Sequence, residues 1–248
     1  MGHSHALLSP NLELKVGEHY STAVLDSDSQ NHLRVLRIQS GETLSLLNGA
    51  GLIFESEMIS KNEFRVRELI KKSQPQPEIH LFISLPKKDS LWEVIAQATE
   101  LGVSKIIPIA TQHNQNPQAT RQKMAEKSQK IADEACCQCR QPFRVSVSQE
   151  WASLDSILKN PAFPMIYADE GTADQSSKPH IAKAKDGVPS LNTAPKLGLC
   201  IGPEGGWSES ERQLLSSQAL AMNLGPNVLR VTTATSVAIY HLRYFANC

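Results

Sequence analysis

Two glycine-rich segments hold the residues best suited to chemistry. They are Ile201-Gly202-Pro203-Glu204-Gly205-Gly206-Trp207-Ser208 and Leu224-Gly225-Pro226-Asn227-Val228-Leu229-Arg230. Each follows a short apolar run and precedes a helix-like pattern. Glycine lets a backbone approach a ligand closely and reach positive φ, and turns at strand ends are where α/β proteins bind ligands. The plainer alternatives for the first segment are a tight loop or a phosphate cradle at a helix N-terminus. It lacks the Lys-Ser/Thr of a P-loop and the G-x-G-x-x-G spacing of a dinucleotide site. Glu204 would repel an anion, so the turn suits a ligand with a cationic or hydroxyl-bearing part better. Arg230 closes the second turn at a helix start, where the helix dipole disfavours a cation; a cation placed there implies a partner.

Other reactive types are less telling. Cys136-Cys137-Gln138-Cys139 contains a C-x-x-C spacing, but no second Cys or His pair is spaced to complete a zinc set. A redox pair would open a helix after a strand, whereas these cysteines sit near a helix end, so they read as buried small residues. No metal site is expected. His32, Arg34 and Arg37 could form a basic edge, and Lys87 with Lys88 a second; an ordinary solvated surface is the commoner alternative. No Ser/His/Asp or paired-carboxylate arrangement stands out.

The elements around these residues change character along the chain. Up to about residue 70 the pattern is β with little helix, which suggests a small barrel. Thr43 to Leu47 and Leu52 to Ile59 flank the turn Asn48-Gly49-Ala50-Gly51 as a hairpin, and Phe64 and Val66 alternate with Arg65 and Arg67. Lys71 to Pro77, polar with two prolines, reads as a linker. Strands and helices then alternate, which implies an α/β domain with a mostly parallel sheet. Strands are expected at 79–85, 105–109, 163–168, 197–201 and 219–224. Ser90 and Glu93 read as the capping box of a helix whose Leu91, Val94, Ile95, Ala98 and Leu101 share a face, with Gly102 at its stop. A polar helix is expected over 118–138, and residues 170–196 look like a long loop. Ser208 and Glu211 form a second capping box. Thr232 or Thr233 is expected to cap a last helix burying Ala234, Val237, Ala238, His241, Leu242 and Phe245.

Composition bounds the function. The chain has 248 residues, 40% hydrophobic and 20% charged, with 25 basic and 25 acidic side chains. That balance argues against a strongly basic nucleic-acid binder but leaves room for a local basic patch. No apolar run nears the roughly 20 residues of a membrane span, and no signal-peptide pattern opens the chain. With an odd cysteine count, five, reduced thiols and a cytoplasmic location are expected.

Taken together, the two turns resemble the RsmE family of SPOUT methyltransferases. Ile201 to Glu211 is similar to the family's I-G-P-E-G-G-[FW]-[ST]-x-x-E, and Leu224 to Ala234 to its L-G-x-x-[IV]-L-R-x-E-T-A. Ala98 to Val103 with Ile107-Pro108, Lys130 to Gln138, and His32 to Arg37 with Gly41 and Asn48 to Gly51 match further family segments, so the resemblance covers almost the whole chain. Three departures stand out: Thr232 where the family has Glu, Arg140 one place early in Gln-x-x-Arg, and Thr111 to Asn114 in place of Glu-Arg-Ser.

The resemblance implies a PUA-like β-barrel over 1–73 that binds RNA. It implies a SPOUT α/β domain with a trefoil knot over 78–248, and a homodimer. It further implies S-adenosylmethionine held by Gly202, Pro203, Glu204, Gly205, Gly206, Leu224, Gly225, Val228 and Leu229, with Asp169 near another cofactor loop. The implied activity is methylation of N3 of a uridine in 16S ribosomal RNA of the small subunit. Arg230 and Arg140 are the candidates for stabilising the uracil anion. Arg34, Arg37, Lys87 and Lys88 are the candidates for holding RNA. Two alternatives keep the fold and change the activity: a SPOUT enzyme for another RNA position, and an impaired RNA- or ribosome-binding relative.

Overall fold

A computed structural model describes residues 5–84, 88–114, 118–159, 161–169, 180–181 and 194–244, with backbone only at 88–89, 118–125 and 180. The chain divides into two compact units, Met1–Gln74 with Asp133–Arg144, and Pro75–Ala132 with Val145–Cys248. No helix among the described residues is long and apolar enough to cross a membrane.

In the first unit, β1 (His5–Leu8), β2 (His19–Ser21), α1 (Ser27–Leu36), β3 (Thr43–Leu47), β4 (Leu52–Ser60) and β5 (Glu63–Lys71) follow in order. The strands form one sheet in the order β1-β3-β4-β5-β2. β1 pairs parallel with β3, and the other pairs are antiparallel. Among the described residues β1 and β2 are the end strands of that order. The expected β3–β4 hairpin forms as Asn48 Oδ1 accepts from the N–H groups of Ala50 and Leu52, both at 2.9 Å. Leu7, Leu44, Leu46, Phe54, Met58, Phe64 and Val66 build the core with Leu33 of α1.

Helix α1 corrects the expectation of little helix in this half. Its sequence is polar and hides its period, and the start signal is Asp26, whose Oδ1 accepts from the N–H groups of Asp28 at 3.0 Å and Ser29 at 2.9 Å. Its end is Arg37, left-handed at φ 51°. Residues 133–144 join this unit through the hairpin turn: Gly51 N donates to Pro142 O and Arg144 N to Gly49 O, each at 3.0 Å. Arg144 Nε and Nη2 grip the Asp133 carboxylate, both at 2.8 Å.

The second unit continues with β6 (Glu78–Ser84), α2 (Lys88–Glu100), β7 (Lys105–Ala110), α3 (Gln118–Cys139, whose residues from Asp133 on belong to the first unit), β8 (Ser146–Val147), β9 (Ala152–Ser153), α4 (Leu154–Leu158), β10 (Met165–Ala168), β11 (His180–Ile181), β12 (Lys196–Ile201), α5 (Glu209–Gln218), β13 (Leu220–Asn223) and α6 (Val231–Tyr244). The sheet order is β11-β13-β10-β12-β6-β7-β8, with β9 also on β7. Only the β11 pairing is antiparallel. The parallel sheet expected from alternating elements is present. Leu197, Leu199, Cys200, Ile201, Ile166, Leu81 and Ile83 are buried within it.

Two helix starts differ from expectation. α2 begins at Lys88, which puts Ser90 and Glu93 inside the helix rather than at its cap. α6 begins at Val231, with Ala234 N donating to Arg230 O at 2.8 Å, so Thr232 and Thr233 lie in its first turn. α6 buries Val231, Thr235, Ala238, Ile239 and Leu242, a stripe rotated from the expected one. Phe245 and most of the expected 170–196 loop lie outside the described residues.

Candidate active site

β10, β12 and β13 run parallel, with Tyr167 opposite Cys200 and Ala168 opposite Met222. Their C-terminal ends therefore share one edge of the sheet, and the segments that leave them, at Asp169, Gly202 and Leu224, start side by side. This is where an open α/β sheet forms a ligand crevice. A cavity of about 540 Å³ lies there, lined by Asp169, Gly202, Pro203, Glu204, Gly206, Leu224, Gly225, Val228, Leu229 and Arg230. Ala168 and Ala234, 66 positions apart in sequence, both line it.

The first turn is held from both sides. Gly206, at φ 72°, closes it with its N–H on Pro203 O at 2.9 Å. Trp207 is buried, and its Nε1 donates to Ala168 O at 2.9 Å, tying the turn to the end of β10. The Ser208–Glu211 capping box forms as expected: Ser208 N donates to Glu211 Oε2 at 2.8 Å and Glu211 N to Ser208 Oγ at 3.3 Å. The other oxygen, Glu211 Oε1, accepts from Gln112 N at 2.8 Å. His113 Nδ1 donates to Gly206 O at 3.0 Å. The segment after β7, which departs from the family pattern, is thus stitched to the glycine turn.

The second turn has its own brace. Asn223, nearly fully buried, accepts from Gly225 N at 2.7 Å through Oδ1. Gly225 sits at φ 117° and a Cβ built there meets nothing within 4 Å. The turn therefore leaves bare backbone and open space on the cavity side.

Asp169 meets Arg212 of α5, Oδ1 to Nη2 3.3 Å, with the carboxylate 7% exposed. Arg212 Nε also donates to Trp207 O at 3.2 Å. Arg230 is exposed at the cavity rim.

Other residues singled out in the sequence fall elsewhere. Gly205 is not in the cavity lining; a Cβ there would face His113 at 3.4 Å. Arg140 belongs to the first unit, exposed and left-handed at φ 55° where α3 ends. Arg34 and Arg37 line a second cleft of about 510 Å³ with Lys61, Gln30, Gln39 and Asn62. Lys87 lies outside the described residues, as does the side chain of Lys88. Of the cysteines, Cys136 is buried, Cys137 half-buried and Cys139 exposed, so the run is not uniformly buried: it follows the helix face. Among the described residues no three His, Cys, Asp or Glu side chains form a metal-binding group.

Sequence reasoning did not single out Ser90, Glu93, Asn223, Asn227 or Thr232 as cavity lining. Asn223 had a local signal, since an Asn two residues before a Gly favours a side-chain-braced turn. Glu93 had none, because only the packing of α2 beside α6 brings it to the cavity.

Known proteins share this architecture. Residues 72–243 match the RNA methyltransferase domain family, and residues 25–69 match the RNA methyltransferase PUA domain. A ribosomal RNA small subunit methyltransferase E of Rickettsia conorii is 31% identical over 227 residues, covering 88% of each chain. A methyltransferase of Legionella pneumophila, solved with bound cofactor SAM, matches with a TM-score of 0.76 at 26% identity over 97% of each chain. A ribosomal RNA small subunit methyltransferase E of Neisseria gonorrhoeae, bound to S-adenosyl methionine, shares the fold with a TM-score of 0.78 at 23% identity over 97% of each chain. With a PUA domain ahead of a parallel-sheet α/β domain, the chain belongs to the RNA methyltransferase family.

Proposed function

We propose that this chain is an S-adenosylmethionine-dependent methyltransferase of small-subunit (16S) ribosomal RNA whose acceptor atom is N3 of a uridine. The observation that carries this reading is the cavity at the joined ends of β10, β12 and β13, lined by both glycine turns. The relatives support the substrate class, being ribosomal RNA small subunit methyltransferases.

The residues present fit the cofactor. The cavity of about 540 Å³ falls in the range of small-molecule sites, roughly 300–1,000 Å³. Bare backbone at Gly202, Gly206 and Gly225 can approach an adenosine closely. Leu224, Val228 and Leu229 offer apolar cover, and Asp169 and Glu204 complete the set. Bound there, S-adenosylmethionine would supply an electrophilic methyl on a sulfonium. The chain's own work is to place N3 in line with that methyl, which can lower a barrier by up to about 7–11 kcal/mol. Arg230 at the rim would stabilise the negative charge that uracil gains as N3 loses its proton. Arg140 is the second candidate for that role.

Residues 1–73 would act as the RNA-holding domain, through Arg34 and Arg37, and 78–248 as the methyltransferase domain, with Lys87 and Lys88 as further RNA contacts. We include a trefoil knot, a homodimer and a cytoplasmic location in the reading. The family resemblance supports the knot. Mass spectrometry of ribosomal RNA from a deletion strain tests the assignment. One methyluridine should disappear from the small subunit and return on complementation; its persistence would refute the target.

A further inference from the structure

The cavity contains a carboxylate that the reaction outlined above does not use. Glu93, on α2, lines it together with Ser90, one turn earlier on the same helix. Its Oε1 accepts from Gln97 Nε2 at 2.9 Å. Gln97 Oε1 in turn accepts from Ser236 Oγ of α6 at 2.7 Å. Ser236 is two turns past Arg230 on the element that closes the second glycine turn. The chain Ser236–Gln97–Glu93 thus fixes one carboxylate oxygen. Glu93 is exposed, and among the described residues no bond to its Oε2 is seen.

The other charges of the lining are already engaged or lie on turns. Asp169 pairs with Arg212 at 3.3 Å. Glu204 on the first turn and Arg230 at the rim are exposed, as Glu93 itself is; Glu93 sits on a helix, with one oxygen fixed by Gln97 Nε2. Thr232, also in the lining, brings no charge. A carboxylate locked by a neutral amide keeps its full charge for a ligand, whereas one locked by a guanidinium does not. Water screens an exposed carboxylate, and its attraction for a cation a few Å away grows as the bound ligand excludes that water.

We propose that Glu93 is the residue that recognises the positive charge of the cofactor's sulfonium, with Gln97 and Ser236 as its positioning residues. This rests on the S-adenosylmethionine reading above. The role makes the site prefer the charged methyl donor over the neutral thioether left after transfer, which favours product release.

Calorimetric titration of the full chain with S-adenosylmethionine and, separately, with S-adenosylhomocysteine tests it. The two ligands share adenosine, amino and carboxylate groups and differ in the sulfonium charge. Glu93→Gln should weaken S-adenosylmethionine about tenfold and change S-adenosylhomocysteine less than twofold. Glu93→Asp, which keeps the charge, should retain most of the preference, and Gln97→Leu should lose part of it. A purely structural role would move both ligands together, and that result overturns the proposal. So does an unchanged ratio in Glu93→Gln, or a ratio that collapses in Glu204→Gln instead. Wild-type protein that binds neither ligand would sink the cofactor reading itself and this role with it, a failure distinguishable from the others.

Discussion

Arg212 reaches across from α5 to Asp169 at the end of β10, Nη2 to Oδ1 3.3 Å, while its Nε holds the Trp207 carbonyl at 3.2 Å. One guanidinium therefore ties two of the segments that frame the cavity. The carboxylate is 7% exposed and the guanidinium 32%. Removing the cation beside a nearly buried carboxylate should cost about 2–3 kcal/mol. Arg212→Ala is expected to lower the urea midpoint accordingly, with Arg212→Lys recovering part. A loss under about 0.5 kcal/mol would show that the pair is only a surface contact.

The glycines of the two turns predict different failures. A Cβ at Gly202 would sit 2.9 Å from Trp207 Cε2 and 3.2 Å from Cδ2 and Nε1. The indole is rigid and buried, so Gly202→Ala should cost about 1–3 kcal/mol through overpacking and weaken cofactor binding by displacing the turn. Gly225→Ala meets no atom but must hold φ 117°, a strain of order 1–3 kcal/mol. Gly205→Ala, at ordinary contact with His113, should be near neutral. Thermal unfolding and calorimetry on the three variants check the order; a Gly205 variant worse than Gly202 would contradict it.

Asp26 predicts an acid limb of stability. Burial works against its charged form, but the Ser29 N–H, the Ser9 and Ser29 hydroxyls and the Asp28 N–H outweigh it and hold the carboxyl below its ordinary value of 3.8. The unfolded state therefore binds the proton more readily, and the contribution is present above that value and lost as pH falls through the lower folded one. Asp26→Ala should cost about 1 kcal/mol near neutrality. The gap between wild type and variant should shrink below about pH 4. A gap that widens on acidification would reverse the sign and the argument.

The thiols should separate by burial. Burial pushes Cys200 up to about 12 and Cys137 up to about 11, whereas Cys139 is exposed. In a Cys248→Ser background, a thiol reagent at pH 8 should label Cys139 first, with Cys137 and Cys200 far slower. The raised thiols stabilise the fold fully below the ordinary value of 9.0 and lose that contribution as pH rises toward 11–12. Rapid labelling of Cys200 in folded protein would contradict its placement in the sheet.

What the chain order alone determined is local. The glycine turns, the Ser208–Glu211 box, the Asn48–Gly51 hairpin and the alternation of strands and helices after residue 77 depend on neighbours a few positions apart. Their backbone and side-chain preferences act at that range. α1 escaped detection because its ten residues are mostly polar. It is held by the Asp26 cap and by Leu33 packing on a distant sheet, and neither leaves an apolar period. The starts of α2 and α6 lie one to two residues before the caps the sequence suggested, within the range over which a helix end is set by more than its capping residue.

Tertiary structure decided which residues share a site. Asp169, Gly202 and Gly225 meet because β10 pairs with both β12 and β13, and strand order is a matter of non-local pairing that no short window encodes. The same pairing leaves Gly205 against His113 rather than in the cavity. It brings Glu93 in, from a helix more than a hundred residues earlier than the turns it faces, because the packing of α2 against α6 chooses which face of that helix the cavity receives.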